Sequence, residues 1–147
     1  MKKWIVGMLA ALMALSLCAC GNGGDRSAAS ESISNSAWAA IVGETLGEDT
    51  YHILVFTDGG DGKGNVEYAI QVGDNTIYDV RGTFTMKKNN IMETKYQEQI
   101  KNGAWGPIDE GRVDEDRFQY EVEDGQVTAL YRVDDQGNWT DTFYRLQ

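Results

Sequence analysis

Residues 65–87 read NVEYAIQVGDNTIYDVRGTFTMK, and their pattern is the clearest indication of the fold class. Apolar or aromatic side chains take every second position in two segments, which the polar turn sequence Gly73-Asp74-Asn75 separates. Such alternation predicts half-buried strands, and glycine and asparagine accept the positive φ angles of tight turns. The stretch therefore predicts two antiparallel strands that bury one face. The predicted inward side chains are those of Val66, Tyr68, Ile70, Val72, Tyr78, Val80, Phe84 and Met86.

The same alternation recurs nearer the C-terminus. The segments RFQYEVE (117–123) and QVTALYRV (126–133) alternate, and Asp124-Gly125 joins them. An Asp-Gly pair between two alternating segments is a strong hairpin signal. We therefore expect a second hairpin with its aromatic face inward. Its predicted inward side chains are those of Phe118, Tyr120, Val122, Val127, Ala129, Tyr131 and Val133.

Two further segments are ambiguous. Residues 91–100 (IMETKYQEQI) fit both a helix and a strand, and the neighbouring hairpins favour the strand. Residues 38–46 fit a short helix or a first strand, whereas 51–57 and 141–146 are predicted strands.

The sum is eight or nine short strands joined by tight turns. We predict an all-β protein, an antiparallel up-and-down meander that closes into a barrel of about eight strands. Barrels of this size are either packed solid or hold one small ligand.

The N-terminus has the layout of an export signal. Lys2 and Lys3 precede an apolar segment over 4–17, which is shorter than a membrane-spanning helix requires. Leu17-Cys18-Ala19-Cys20 then resembles a bacterial lipobox, with Cys20 as the modified cysteine. The resemblance implies cleavage before Cys20, a diacylglycerol on its sulfur, and a fatty acyl chain such as palmitate on the new amino group. It also implies anchoring to the cell membrane on its extracytoplasmic face. The alternative is an ordinary secretory signal with incidental cysteines.

The predicted organisation has three parts. Residues 1–19 are a lipoprotein signal peptide, 20–36 are the lipidated Cys20 and a flexible tether of small polar residues, and 37–147 are the barrel domain. Removal of residues 1–19 leaves 11 basic and 23 acidic residues, a net charge of −12. Such a chain repels nucleic-acid phosphates and anionic lipid headgroups. We therefore expect no nucleic-acid partner, and we expect attachment to the membrane through the acyl chains alone.

Few residues suggest catalysis or metal binding. His52 is the sole histidine, and we interpret it as structural or exposed because a metal site needs further ligands. The turn DGGDGKGNVE (58–67) departs from the calcium-loop pattern, although an irregular oxygen site remains an alternative to a plain turn. The acidic run 109–116 suits a solvated loop, a divalent cation or a basic partner. Recognisable catalytic motifs do not occur, so we expect no enzyme, no cofactor and no metal.

The whole segment 37–147 is similar to the small bacterial lipocalin-like lipoproteins of the calycin type. The matching elements are a Trp near the domain start, an aromatic strand that runs into a Phe-x-Asp-Gly turn, a Gly-Asp-Asn-Thr-Ile hairpin (73–77), a late hairpin (122–130) and a terminal aromatic-Tyr-Arg strand. The resemblance implies a lipocalin-like barrel. It also implies that Trp38 packs against Arg145 at the closed barrel end.

The inward aromatic residues suggest a function. Tyrosine hydroxyls need polar partners when buried, so a tyrosine-rich interior suits a semi-polar cavity. We expect a non-enzymatic binder of a small apolar or amphipathic ligand. The alternative is an envelope surface-interaction or inhibitor module that acts through its loops, with the acidic run and Trp105 in contact with a protein partner. The predicted ligand-binding residues are Tyr68, Tyr78, Phe84, Tyr96, Phe118, Tyr120 and Tyr131.

Overall fold

The computed structural model describes residues 24–58 and 60–147, with side chains from residue 28 onwards. The predicted signal peptide and Cys20 lie outside this part of the chain. The described residues form one α-helix, one short 3₁₀ turn and nine strands. Their bounds are α1 Gly24–Ile33, β1 Ser36–Thr45, β2 Glu48–Thr57, the 3₁₀ turn Gly60–Gly62, β3 Lys63–Val72, β4 Asn75–Lys87, β5 Ile91–Lys101, β6 Ala104–Pro107, β7 Glu115–Glu123, β8 Gln126–Val133 and β9 Trp139–Arg145.

Eight of these strands close into a barrel. Each strand pairs antiparallel with its neighbours in the order β1, β2, β3, β4, β5, β7, β8 and β9, and β9 pairs back onto β1. The extra strand β6 pairs with the C-terminal half of β5, beyond the part of β5 that pairs with β7. The predicted all-β, up-and-down antiparallel barrel is confirmed, and both ambiguous segments are strands.

The alternating residues fill the barrel. Along β3, β4, β5 and β7, most of the side chains predicted to lie inward form one apolar core, but Val72 lies outside this cluster and Val122 is 36% exposed. Phe56 packs edge-on against Phe84 with ring centroids 5.2 Å apart, and Phe118 does the same with Phe143 at 5.7 Å. Edge-to-face contacts of this kind add to the burial of the rings. The interior is therefore packed solid over its middle.

A β-bulge in β8 changes which residues face inward. Glu121 pairs with Ala129 and Val122 pairs with Val127, which leaves Thr128 unmatched. An unmatched residue reverses the alternation beyond it. The predictions that Ala129, Tyr131 and Val133 face inward are therefore wrong, and the inward residues are Leu130 and Arg132.

Helix α1 replaces much of the predicted flexible tether. The prediction of a tether over 20–36 is wrong for Gly24–Ile33, because this segment is helical and two of its side chains are buried in the core. Those side chains belong to Ala29 and Ile33. The folded unit therefore begins before residue 37. Within the described ranges, no helix has the length and apolar character that crossing a membrane requires.

Small polar side chains fix α1 across one end of the barrel. Ser30 Oγ accepts a hydrogen bond from the backbone N–H of Gly62 at 3.2 Å. Ser32 Oγ accepts one from the N–H of Val127 at 2.8 Å. Both bonds satisfy buried backbone donors, one in the 3₁₀ turn before β3 and one at the start of β8. The serines that suggested a solvated tether therefore close the barrel at this end.

Trp38 and Arg145 meet at the same closed end. The two residues are paired in register across β1 and β9, and the Arg145 guanidinium carbon lies 5.7 Å from the Trp38 ring centroid. Trp38 is fully buried, and its Nε1 donates a hydrogen bond to Ser36 Oγ at 2.8 Å. Arg145 also donates to the backbone carbonyl of Ser32 in α1. The pair therefore joins the barrel wall to the helix.

Candidate functional site

A pocket enters the barrel at the end opposite α1. Its volume is about 580 Å³, and it lies between strands β3, β4, β5, β7 and β8 and the loop that precedes β7. Ile77, Val113 and Arg112 are exposed at the mouth, whereas the tyrosine rings, Asp116 and Arg132 lie deeper. The lining residues are Tyr68, Ile70, Ile77, Tyr78, Tyr96, Arg112, Val113, Asp116 and Arg132.

Three of the seven predicted ligand-binding residues line this pocket. The ring centroid of Tyr68 lies 6.0 Å from that of Tyr78 and 5.8 Å from that of Tyr96, so the three rings form one continuous wall. This arrangement gives a ligand an apolar surface with hydroxyl groups at its edge.

The other four predicted residues lie elsewhere. Phe84, Phe118 and Tyr120 are buried in the core outside the pocket. Tyr131 stacks on Trp139 with ring centroids 4.2 Å apart, and it pairs across the strands with the exposed Gln119. Tyr131 is therefore an outer-face residue. Burial, followed by a hydrogen bond to Glu121, raises its pKa to about 12.

A buried ion-pair network forms the floor of the pocket. Arg132 Nη1 donates a hydrogen bond to Asp141 Oδ2 at 3.1 Å. Arg132 Nη2 lies 3.5 Å from Asp116 Oδ2, which accepts a hydrogen bond from the Tyr96 hydroxyl at 3.1 Å. The guanidinium carbon also lies 4.9 Å from the centroid of the Tyr68 ring. One arginine therefore holds two carboxylates from different strands inside the barrel.

His52 belongs to the same network. Its Nδ1 lies 3.2 Å from Arg132 Nη1 and 3.7 Å from Asp141 Oδ2, and its ring packs edge-on against Tyr68 at 5.6 Å. Burial, followed by the positive charge of Arg132, lowers the pKa of His52 against the opposing effect of Asp141. The lowered pKa favours the neutral imidazole, whose Nδ1 accepts a hydrogen bond from Arg132 Nη1. It lies in the interior with a structural role.

Burial dominates the proton affinities of the floor. It raises the pKa of Asp116, and the charge of Arg132 and the hydrogen bond from Tyr96 only partly oppose it. The pKa of Tyr96 is well above its usual value, first because of burial and then because of the negative charge of Asp116. Burial also raises the pKa of Tyr68. The floor therefore presents neutral phenols beside the Asp116 carboxyl, whose ionised form is destabilised by burial.

The acidic run 109–116 contributes to the site in two ways. Asp116 points into the barrel as the first inward residue of β7. The rest of the run lies at the mouth, where Asp109 pairs with Lys101 and where Arg112 lies 5.2 Å from the ring centroid of Tyr78. Asp116 is thus separate from the solvated loop that the run otherwise forms.

The described part of the glycine-rich turn, residues 58 and 60–65, lies at the opposite end from the pocket. Asp58 Oδ2 accepts a hydrogen bond from Asn65 Nδ2 at 3.1 Å, and Gly62 contacts α1 through Ser30. Among the described side chains, no group of three or more His, Cys, Asp or Glu residues is placed to hold a metal ion. The turn thus has a packing role against the helix.

Sequence reasoning missed the charged residues of the floor. The alternation predicts an outward-facing Arg132, because the bulge at Thr128 leaves no sign in the sequence pattern. Asp116 belongs to the acidic run for which the sequence allows a solvated loop, a divalent cation or a basic partner, and nothing in the alternation distinguishes Asp141. The sequence does contain a signal for the two aspartates. Asp116 and Asp141 each stand two residues before an inward aromatic residue, and residues i and i+2 of a strand share a face.

The barrel fold and its pocket together define a structural class. The chain is a closed antiparallel β-barrel with one end capped by a helix and one end open to a pocket, and this architecture is consistent with a lipocalin-like fold. It matches no protein-family model, no curated protein and no solved structure.

Proposed function

We propose that this protein is a membrane-anchored, extracytoplasmic lipoprotein whose barrel binds a small apolar or amphipathic molecule. The observation that carries the proposal is the pocket of about 580 Å³ with its wall of three tyrosine rings. Ligand sites in proteins are typically concave, apolar and aromatic, with a few convergent polar groups. Tyr68, Tyr78 and Tyr96 supply the apolar wall, and Asp116 and Arg132 supply the polar groups.

The lipid anchor rests on the lipobox-like sequence that ends at Cys20. Only residues 21–23 separate Cys20 from α1, and a chain of this length spans no more than about 15 Å. Because α1 caps the closed end, acyl chains on Cys20 would hold that end next to the membrane. The pocket mouth would then face away from the bilayer, where it is open to ligands in the surrounding space.

A binding role fits the chemistry of the floor better than catalysis. Arg132 is held between Asp116 and Asp141, and His52 accepts a hydrogen bond from the same guanidinium. Each charged group is thus engaged by another group of the network. General acid–base catalysis instead needs a group that is free to exchange its proton with a bound substrate.

Binding can be tested with the soluble chain of residues 20–147 that carries Cys20→Ser. The probe is N-phenyl-1-naphthylamine, an uncharged apolar fluorophore whose emission rises when it leaves water. We expect saturable binding of one probe per chain. Ile70→Trp, which fills the pocket, should abolish it, whereas Val55→Trp on the outer face of β2 should not. Unsaturable binding, or equal binding by both variants, would contradict the proposal.

The exposed rim of the mouth favours a second candidate, a surface-interaction module. Leu46 is 99% exposed, and Ile41, Ile77 and Val113 are each more than 60% exposed at the same end of the barrel. Exposed apolar residues in a group mark interaction sites. Trp105 contributes less than expected, because it is half-buried under the Arg81 guanidinium at 4.2 Å.

Cross-linking in the native envelope tests this second candidate. If the protein is a surface-interaction module, the wild-type chain should capture one specific partner, and Leu46→Asp should lose that partner. The apolar probe should then not bind. Probe binding together with unchanged cross-linking would rule it out.

A further inference from the structure

We infer that the ligand of the pocket is a cationic amphiphile, an organic amine or quaternary ammonium whose charged group lies between Asp116 and the tyrosine wall. The inference rests on the proposed function and names the chemical class of the ligand. Three independent features of the site support it: the pairing of the carboxylates, the aromatic faces, and the charge around the mouth.

The first feature is the unequal pairing of the two floor carboxylates. Arg132 gives Asp141 a direct hydrogen bond at 3.1 Å, but its nearest approach to Asp116 is 3.5 Å, without a hydrogen bond between these two side chains. Asp116 receives a hydrogen bond from the Tyr96 hydroxyl instead. A phenol is a neutral donor and stabilises a buried carboxylate less than a cation does. Asp116 therefore borders the pocket as a carboxylate whose charge is only partly balanced.

The second feature is the aromatic wall, which already accepts cations. The Arg132 guanidinium lies 4.9 Å from the Tyr68 ring centroid, and the Arg112 guanidinium lies 5.2 Å from that of Tyr78. Both distances are within the range of cation–π attraction. Arg112 is an exposed residue of the mouth loop, so it can leave the Tyr78 face. An ammonium group that displaces it gains the same ring and also approaches Asp116.

The third feature is the charge of the turns around the mouth. These turns and the loop before β7 contain the basic residues Lys101 and Arg112, and Lys101 is paired with Asp109. The pocket lining itself carries Arg112 and Arg132 beside Asp116, but the turns around it are predominantly acidic, and summed charge of one sign around an opening concentrates ligands of the opposite sign. The mouth therefore favours cations over anions. Its acidic residues are Glu44, Glu48, Asp49, Asp74, Asp109, Glu110, Asp114, Glu115, Asp134 and Asp135.

The test compares three probes that share one alkyl chain. Octyltrimethylammonium, 1-octanol and octanoate are titrated by calorimetry into the soluble chain of residues 20–147 with Cys20→Ser. We expect the ammonium to bind about tenfold more tightly than the alcohol, because cation–π and ion-pair contacts act on it alone. Octanoate should bind most weakly.

Substitutions locate the charge contact. Asp116→Asn should lower the affinity for the ammonium about tenfold more than it changes the affinity for octanol. Asp124→Asn, in the β7–β8 turn at the closed end, is the matched control and should change neither. Arg112→Ala should leave the affinity for the ammonium unchanged or raise it, because this residue competes for the Tyr78 face.

The outcomes separate the inference from the proposed function. Tightest binding by octanoate, lost with Arg112→Ala, would show an anion site and overturn the inference while the pocket remains a binding site. Equal affinity for all three probes would likewise overturn it. Binding of none of the three would overturn the proposed function, and the inference with it.

Discussion

Arg132 Nη1 lies 3.1 Å from Asp141 Oδ2 inside the barrel, on adjacent strands β8 and β9. The pair exists because the bulge at Thr128 turns Arg132 inward, onto the face that also carries Asp141 and Phe143. The side chains of both residues are at least four-fifths buried. A buried ion pair is sensitive to the loss of one partner, because the other charge then remains without compensation.

Arg132→Met should therefore destabilise the protein by about 3–5 kcal/mol, since Asp116 and Asp141 are left as buried carboxylates. Urea denaturation followed by circular dichroism measures the change. The triple variant Arg132→Met, Asp116→Asn, Asp141→Asn removes the charges together and should recover much of the loss. If the single and triple variants were equally unstable, the network would have no electrostatic role.

A second prediction concerns the packing of helix α1 on the barrel. Its residue Ile33 is fully buried at the closed end. Ile33→Ala should lower the free energy of unfolding by about 2–5 kcal/mol, as other buried large-to-small substitutions do. Ile41→Ala, at an exposed position of β1, is the matched control and should change it by about 0.5 kcal/mol or less. A flexible tether would instead leave the two variants alike.

Gly82 allows strands β4 and β5 to approach closely. A Cβ at this position would lie 1.8 Å from the backbone oxygen of Lys95, and the register of the two strands shifts here. Gly82→Ala should cost about 1–3 kcal/mol or more, because backbone has to move. Gly106→Ala in β6 should be nearly neutral, since its Cβ would meet no described atom within 4 Å. Thermal unfolding of the two variants checks the difference.

Asp79 makes the stability depend on pH. Burial, followed by the neighbouring Glu67, raises its pKa from 3.8 to about 6. The folded state therefore holds a proton that the unfolded state releases, so this contribution is complete below about pH 4 and is lost as the pH rises through 6. Its Oδ1 is buried without a hydrogen bond in the described structure.

Asp79→Asn should remove this dependence. We expect a gain of about 1 kcal/mol at pH 7, a modest value because water screens a partly exposed group, and a flatter stability curve between pH 4 and 6. Asp74→Asn, an exposed turn residue, should leave the curve unchanged. Denaturant midpoints across this pH range provide the measurement, and a parallel shift at every pH would contradict the assignment.

Alternation in the sequence was sufficient to predict the barrel and most of its core. Phe84, Phe118 and Tyr120 lie inward because period-two patterning is fixed by the pleat of the strand. Tyr131 was misplaced because a bulge reverses this pattern and leaves no mark in hydropathy. Helix α1 was missed because it packs through small residues and serine hydroxyls, whose value appears only when their backbone partners are known.

The sequence pattern predicts the aromatic part of the site but not its charged part. Tyr68, Tyr78 and Tyr96 were found because aromatic residues on the inner face are visible in the sequence. The contacts among Asp116, Arg132 and Asp141 depend on strands that are distant in sequence and on the register between them. Such contacts follow from barrel closure, which local patterning does not specify.

The position of the apolar probe on the protein decides whether the pocket is the binding site. A structure of the soluble chain saturated with N-phenyl-1-naphthylamine should show the probe inside the open end, in contact with the rings of Tyr68, Tyr78 and Tyr96. A probe on the outer face of the barrel, or beside α1 at the closed end, would contradict the assignment of the pocket as the binding site.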